Sequence, residues 1–212
     1  MLLLQSNKKM FLLLQNAAWF PYHCPVSDLI TTPVPTWINW TSGDLRGEGI
    51  ENSTKTLGDL AGVFLDEVSW RTMDPGTEVY RVKFWRPVPD GTAGGLFWGT
   101  TLLHPGLVGE EYFMTHGHFH AESDRAEFYA TLKGTGRLIL MTEDGEVSQQ
   151  AMTPGSVHYI PGRIAHRVAN VGKDPLVFVA SWPSDAGHDY ARVRAGGFSK
   201  RLLRRGDGPC LV

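Results

Sequence analysis

The chain has 212 residues, of which 42% are hydrophobic and 20% are charged, and its formal net charge is -2. These values are ordinary for a globular protein of one domain, and so small a net charge excludes a general electrostatic attraction to nucleic acid. The two cysteines, Cys24 and Cys210, lie near opposite ends of the chain and indicate neither a disulfide framework nor a thiolate metal site. A reducing, cytoplasmic location is therefore expected.

The N-terminal segment is the first element to interpret, because its apolar residues resemble an export signal. The run Met10–Leu14 is shorter than the ~7–15 apolar residues that such a signal needs. No stretch of the chain approaches the ~20 apolar residues of a membrane helix, so no membrane partner is expected. The segment is predicted to be a peripheral strand or arm.

The rest of the chain reads mainly as short strands. One short helix is predicted in TLGDLAGVFLDEVSW, where apolar residues recur at helix spacing at Leu57, Leu60, Ala61, Phe64 and Val68. From Glu78 onward, turn signals rich in glycine and proline separate apolar runs such as VYRVKFW, LFWGTTLL, EYFMTHGHFH, EFYATL, RLILMT, SVHYI, HRVANV and LVFVASW. This pattern predicts an all-β antiparallel sandwich or barrel. The C-terminal RLLRRGDGP is interpreted as a solvated end.

Histidines and a carboxylate cluster in the middle of the chain. In a strand His118 and His120 share one face, and His116 joins them if the strand extends that far. Glu127 and Tyr129 share a face of the next strand. If the intervening AESDRA is a loop, the two strands can pair and bring Glu127 beside the histidines.

A later segment supplies a fourth candidate ligand. In TPGSVHYIPGRIAHRVANVG, a turn at Pro154-Gly155 starts a strand and a second turn at Pro161-Gly162 delivers His166. Three neutral imidazoles and one carboxylate suit a divalent transition metal such as iron, manganese, nickel or zinc, and two coordination positions could remain open. A structural zinc site typically uses four ligands, often thiolates.

The spacing of these residues resembles the two cupin motifs, through His118, His120, Glu127, Gly134, Gly155, Pro161, His166 and Asn170. The interval of six residues between His120 and Glu127 is longer than in general cupins, and Gly162 directly follows its proline. The longer interval is similar to that of the cupin-type phosphoglucose isomerases of archaea and some bacteria. The run T-x-G-H-x-H-x6-E-x-Y from Thr115 to Tyr129 and DAGHDY from Asp185 to Tyr190 carry the same resemblance.

The resemblance spans roughly Lys55 to Lys200 and implies a cupin jelly-roll barrel with a few short peripheral helices. We accordingly expect a cupin domain at residues 51–212, preceded by an N-terminal extension at residues 1–50. The resemblance also implies a homodimer that acts on a small-molecule sugar phosphate. One divalent metal ion per subunit is expected, with iron as the first choice and manganese, nickel or zinc as alternatives.

By the same resemblance, the protein interconverts glucose 6-phosphate and fructose 6-phosphate. The implied metal ligands are His118, His120, Glu127 and His166. The implied catalytic residues are Glu127, His188 and Tyr129. The implied substrate-binding residues are Tyr80, Thr101, Thr115, Gly117, Tyr129, Trp182, His188 and Tyr190. Trp182 departs from the tyrosine that archaeal relatives are expected to have there, which removes a phenolic hydrogen bond.

Several alternatives stay open at the level of sequence. Hydrogen transfer can proceed through a cis-enediol with Glu127 as the base, or by a metal-assisted hydride shift. The same ligands would serve another cupin metalloenzyme, such as a dioxygenase or a mannose or other sugar-phosphate isomerase, or a non-enzymatic sugar-binding cupin. Tyr80 and Thr101 have an alternative role as buried strand residues with satisfied hydroxyls. Packing or turn roles are expected for His23, His104, His116, His158, Trp85 and Trp98.

Overall fold

The computed structural model describes residues 33–206 and 208–212, and of residues 194–196 it describes the backbone alone. The expectations for the run Met10–Leu14 and for His23 lie outside the described residues. The helices are a 3-10 helix at Gly58–Leu60, α1 (Glu67–Thr72) and α2 (Tyr190–Gly196). The strands are β1 (Trp37–Ile38), β2 (Leu45–Arg46), β3 (Ile50–Thr56), β4 (Glu78–Trp85), β5 (Leu96–Leu103), β6 (Leu107–Val108), β7 (Glu111–Tyr112), β8 (Glu127–Lys133), β9 (Gly136–Met141), β10 (Val147–Met152), β11 (Val157–Ile160), β12 (Ala165–Asn170), β13 (Leu176–Pro183), β14 (Leu202–Arg205) and β15 (Gly208–Leu211).

Within the described residues these strands form four antiparallel sheets. The largest has the order β11-β8-β13-β5-β4-β3, the second β10-β9-β12 and the third β15-β14-β7-β6, while β1 pairs with β2. The three larger sheets share one hydrophobic core, to which Phe178, Leu138 and Leu202 each contribute from a different sheet. The ladders of these described strands do not close into one continuous barrel. The prediction of an all-β fold with a few short helices is confirmed.

Strand β8 carries polar residues into the interior. Glu127, Tyr129 and Thr131 are buried, whereas Phe128 between them is 40% exposed. Successive side chains of a strand point to opposite faces, so the burial pattern follows directly from the period of two. A carboxylate and a phenol therefore face the core side of the largest sheet.

Strand β12 is buried along its whole length. It pairs with β9 on one side, and on the other Thr115 N–H donates to Val168 O at 2.8 Å. The Asn170 amide then donates to Leu103 O and to Asp174 O, both at 2.9 Å. These bonds anchor the end of the strand and hold His166 in the interior.

The single helix expected around residues 57–68 is instead a 3-10 turn followed by a separate short helix. Leu57, Leu60 and Phe64 are buried, but Val68 is 77% exposed. The Asp66 carboxylate accepts from Ser69 N–H at 2.9 Å and so caps a new helix, α1, that begins at Glu67. Neither α1 nor α2 has the length and apolar character that a helix needs to cross a membrane.

The C-terminal segment is not the solvated end that its composition suggests. Strand β14 pairs with β15 and, at Leu203, with Glu111 of β7. Leu202 is 1% exposed and belongs to the core. The interpretation as a solvated end is therefore wrong for Leu202 and for the paired backbone, whereas Arg204 and Arg205 of the same strand are exposed.

Candidate metal centre and substrate cavity

Four side chains converge in the interior between the sheets. His118, His120, Glu127 and His166 each offer one ligand atom, and these atoms all lie within 4.8 Å of one another. The Glu127 Oε2 atom is the common neighbour, 2.8 Å from His166 Nε2 and 3.3 Å from His120 Nε2. His166 lies 39 or more positions after the other three residues in the sequence, and the fold brings all four together.

The route by which Glu127 reaches the histidines differs from the one expected. Strand β8 pairs with β11 and β13, not with the histidine stretch. The histidine stretch bridges to β12 instead, where His118 and His166 exchange backbone hydrogen bonds of 3.2 and 3.0 Å. The predicted pairing is wrong, and Glu127 approaches the histidines across the interior from another sheet.

The histidine stretch is not a continuous strand. Gly117 has φ +78, a left-handed backbone that interrupts the extended conformation and that glycine adopts without strain. His116 consequently does not join the four ligands. Its Nδ1 lies 3.0 Å from Gly117 O, and its ring packs edge-on against Tyr190 at 4.9 Å between centroids.

The chemistry of the four ligands fits a divalent cation. His120 Nδ1 lies 2.7 Å from Arg125 O and His166 Nδ1 lies 3.3 Å from Ile164 O. Donation from those nitrogens to the carbonyls leaves each Nε2 lone pair facing inward, as metal-binding histidines require. The buried Nε2 atom of His118 has no hydrogen-bond partner, and that of His166 faces the Glu127 carboxylate at 2.8 Å. A bound cation would explain why buried imidazole nitrogens surround a carboxylate without ordinary hydrogen-bond partners.

Electrostatics keep Glu127 and His118 in the protonation states that metal binding needs. Burial alone would raise the pKa of the Glu127 carboxyl, but the close imidazoles of His120 and His166 lower that pKa to about 2. Burial, together with the neighbouring imidazole of His166, holds the pKa of His118 well below its usual range. The site therefore presents an ionised carboxylate and a neutral His118 at neutral pH.

A cavity of about 780 Å³ opens next to the ligands. His118, Glu127 and His166 line it. All the residues predicted to bind substrate also line the cavity, and Gly117 does so through its backbone. These residues are Tyr80, Thr101, Thr115, Gly117, Tyr129, Trp182, His188 and Tyr190. The volume is within the range of small-molecule sites.

Hydroxyl groups gather near the Thr115–Gly117 turn. Tyr80 Oη accepts from His116 N–H at 3.4 Å, and Thr115 Oγ1 accepts from Val168 N–H at 3.0 Å. Because each hydroxyl oxygen acts as an acceptor in these bonds, both hydroxyl protons can be donated to a ligand. Burial raises the pKa of Tyr80, so its phenol remains protonated and can donate.

His188 and Tyr190 are fixed by an ion pair and by backbone bonds. Arg125 Nε and Nη2 donate to the Asp185 carboxylate at 2.9 and 2.7 Å. Glu122 N–H donates to Ala186 O at 3.0 Å, which holds the DAGHDY segment along the histidine loop. The His188 and Tyr190 rings lie parallel at 5.5 Å, and the His188 ring is 4.4 Å from that of His118.

Sequence reasoning missed two cations of the cavity lining. Lys55 and Arg86 both line the cavity, on β3 and just after β4. Ser53 and Lys55 occupy alternate positions of IENSTKT. In a strand these positions share one face, and this alternation could have indicated that both side chains reach the cavity. The segment is too polar for hydrophobic patterning to identify it as a strand.

The remaining histidines have contacts outside the ligand group. His158 is buried, with Nε2 at 2.9 Å from Ser156 Oγ and Nδ1 at 2.7 Å from Gln150 Oε1. His104 Nε2 lies 3.0 Å from Glu78 Oε1. Trp85 and Trp98 are cross-strand partners on β4 and β5.

A family profile and individual relatives indicate the same family. The profile of the glucose-6-phosphate isomerase (GPI) family matches residues 54–210. Glucose-6-phosphate isomerase of Pyrococcus horikoshii is 43% identical over 176 residues, which cover 81% of this chain and 89% of that protein. The enzyme of the same name from Pyrococcus furiosus is 44% identical over 161 residues, covering 74% of this chain and 82% of that protein.

A similarity to solved structures extends over about half of the chain. A deletion mutant of oxalate decarboxylase OxdC from Bacillus subtilis aligns at 22% identity and a TM-score of 0.41. The aligned region covers 53% of this chain and 28% of that chain.

Proposed function

The chain belongs to the glucose-6-phosphate isomerase family, and on that premise we propose that it interconverts glucose 6-phosphate and fructose 6-phosphate. The observation that carries the proposal is the meeting of His118, His120, Glu127 and His166 beside a cavity of about 780 Å³. That cavity combines a candidate metal site with neutral hydroxyl donors, which are the two receptors that a phosphorylated open-chain sugar needs.

The interconversion moves hydrogen between carbon 1 and carbon 2 of the open-chain sugar. A divalent cation held by His118, His120, Glu127 and His166 would supply Lewis-acid stabilisation of negative charge on the sugar oxygens. Glu127 is the proposed base. Both contacts that the described residues make with its carboxylate reach Oε2, which leaves Oε1 for the proton on the sugar carbon. We propose the cis-enediol route on that ground.

We assign the other catalytic and binding roles by position in the cavity. His188 and Tyr129, which line the cavity near His118 and His166, are proposed to orient the sugar hydroxyls. Tyr190 stacks on His188 and is proposed to close that side. Trp182 packs edge-on against Phe97 at 6.2 Å and is proposed to bound the cavity by its shape.

The phosphate is proposed to bind at the turn where the hydroxyls gather. Tyr80, Thr101 and Thr115 supply hydroxyls there, and Gly117 offers its backbone N–H without a side chain in the way. Because the hydroxyls of Tyr80 and Thr115 act as acceptors within the protein, each retains a proton to donate to a phosphate oxygen.

Iron is the metal that we propose, with manganese, nickel or zinc as alternatives. Imidazole and carboxylate ligands accept each of these ions, and three histidines with one carboxylate leave coordination positions for two sugar oxygens. Restoration of activity by each metal in turn, after chelation, ranks them directly.

A homodimer is proposed as the assembled state, at work in glycolysis or gluconeogenesis in the cytoplasm. Support for an interface comes from apolar side chains on the outer face of the largest sheet. Val157 and Tyr159 on its edge strand β11 are 62% and 66% exposed, and Phe128 is the cross-strand partner of Tyr159. We also propose that residues 51–212 form the cupin domain, with residues 1–50 as an N-terminal extension.

A coupled assay tests the proposed activity. Purified protein is incubated with fructose 6-phosphate, and glucose 6-phosphate is measured by its dehydrogenase, before chelation, after chelation and after restoration of each divalent metal. We expect turnover that chelation removes and a metal restores. Turnover of mannose 6-phosphate alone would support the alternative sugar-phosphate isomerase. Sugar-phosphate binding without turnover, under every metal, would support a non-enzymatic cupin and contradict the proposal.

A further inference from the structure

Arg167 is a buried arginine that the proposed reaction leaves without a role. It is 4% exposed and lies on β12 next to His166. Its Nη2 donates to His116 O at 2.9 Å, its Nη1 lies 3.1 Å from Met114 Sδ, and the guanidinium stacks on the Phe198 ring at 4.1 Å. Buried cations normally have a carboxylate partner.

The charge of this guanidinium is not neutralised by a direct partner. Among the residues that the structure describes, no carboxylate forms an ion pair with Arg167, and its Nε is buried without a hydrogen-bond partner. A buried, hydrogen-bonded but unpaired cation creates a positive potential that water screens poorly. The potential extends toward whatever lies next to the guanidinium.

Gly117 lies directly over that guanidinium. A Cβ atom at Gly117 would be 3.0 Å from Arg167 Nε and 3.0 Å from Phe198 Cε2, so any side chain there would push the guanidinium away. Gly117 lines the cavity, whereas Arg167 is behind the Thr115–Gly117 turn and does not. The glycine thus brings the cavity wall into contact with a buried positive charge.

One peptide unit connects the guanidinium to the cavity. His116 C=O and Gly117 N–H belong to the same peptide plane, and Arg167 donates to that carbonyl. Donation to a carbonyl fixes the orientation of the peptide and polarises its N–H, which becomes a stronger donor. An anion that accepts from Gly117 N–H therefore receives both a better hydrogen bond and an attractive potential.

We propose that Arg167 is a positioning residue for anion recognition: it orients and polarises the Gly117 N–H and supplies positive potential behind the Thr115–Gly117 turn, in addition to that of the cavity-lining Lys55 and Arg86. Arg167 does not touch the ligand. This inference rests on the proposed sugar-phosphate substrate, because its consequence is a preference for the phosphorylated over the unphosphorylated sugar.

The test compares binding of sorbitol 6-phosphate and sorbitol to the metal-loaded full-length protein by calorimetry. The variants are Arg167→Met, which removes the charge at similar length, and Arg167→Lys, which keeps the charge but not the fork of donors. Phe198→Leu is the matched control, because it removes the stacking surface and keeps the cation. The quantity of interest is the ratio of the two dissociation constants, since a general loss of packing weakens both ligands alike.

We expect Arg167→Met to lower the preference for sorbitol 6-phosphate at least about tenfold, Arg167→Lys to lower it less, and Phe198→Leu to leave it within about twofold. Equal weakening of both ligands, or an unchanged ratio, would overturn the inference. If Arg167→Met does not fold, Arg167→Lys replaces it. A lowered preference for sorbitol 6-phosphate in that variant supports the inference, and an unchanged ratio of the two dissociation constants overturns it. A wild-type protein that binds the two ligands equally would instead contradict the proposed sugar-phosphate function, and the inference with it.

Discussion

Glu127 Oε2 lies 2.8 Å from His166 Nε2, although the two residues belong to strands of different sheets. Each strand delivers its residue for its own reason: β8 alternates inward and outward faces, and β12 is buried throughout. The ligand group thus depends on the packing of the sheets against each other, not on one local motif. Changes to single ligands test that arrangement.

Removing one imidazole from the group should remove the metal and the activity together. We expect His166→Ala and His118→Ala to lose bound metal and to lower turnover by at least about a hundredfold, because three ligands bind a divalent ion much more weakly than four. Elemental analysis and the coupled assay measure the two quantities. His158→Ala is the control, since His158 bonds to Ser156 and Gln150 instead, and it should keep both. Full turnover in metal-free His166→Ala protein would show that the ligand assignment is wrong.

Removing a hydroxyl from the phosphate turn should affect recognition more than chemistry. We expect Thr115→Ala to raise KM about tenfold with a smaller fall in kcat, since a hydrogen bond to a charged group contributes about 1.5–3 kcal/mol. Thr115→Ser retains the hydroxyl and should stay near the wild-type KM. Steady-state kinetics of both variants decide the matter: an unchanged KM in Thr115→Ala protein speaks against a phosphate contact.

The route of hydrogen transfer can be read from isotope incorporation. If Glu127 Oε1 accepts a proton from the sugar, that proton exchanges with solvent before it returns. Glucose 6-phosphate formed from fructose 6-phosphate in deuterium oxide should then carry deuterium at carbon 2, as measured by NMR at low conversion. Product without deuterium would favour the hydride shift and exclude Glu127 as an exchanging base.

The stability of the fold should depend on pH partly through His158. Burial lowers the pKa of His158 below its ordinary value of 6.5. The unfolded chain therefore binds more protons between the two pKa values, and this contribution to stability is lost as the pH falls below about 6.5 through the folded-state value. In metal-free protein, the difference in unfolding free energy between wild type and His158→Gln should be smaller at about pH 5 than at about pH 7.5. Urea unfolding measures this difference in free energy. Equal differences at both pH values would contradict the expected contribution of His158.

Much of the ligand group was accessible from the sequence because short-range geometry determines it. Alternation in a strand puts His118 and His120 on one side, and alternation in β8 puts Glu127 and Tyr129 inward. The partner of the histidine stretch was not accessible. It pairs with β12, fifty residues later, and strand pairing at that separation leaves no local pattern.

Other features escaped because their residues carry weak hydrophobic signals. Strand β3 reads IENSTKT and is mostly polar, yet it brings Lys55 to the cavity. Arg167 stands in a run of buried residues where its charge suggests an exposed position. Its environment comes from Phe198 and His116, which only the folded chain brings beside it.

The most direct test of the ligand assignment is a crystal structure of the metal-loaded protein with an anomalous-scattering map at the absorption edge of the metal. We expect one peak per chain, about 2.0–2.2 Å from nitrogens of His118, His120 and His166 and from an oxygen of Glu127. A peak bound by other side chains, with these four residues free of metal after loading, would contradict it.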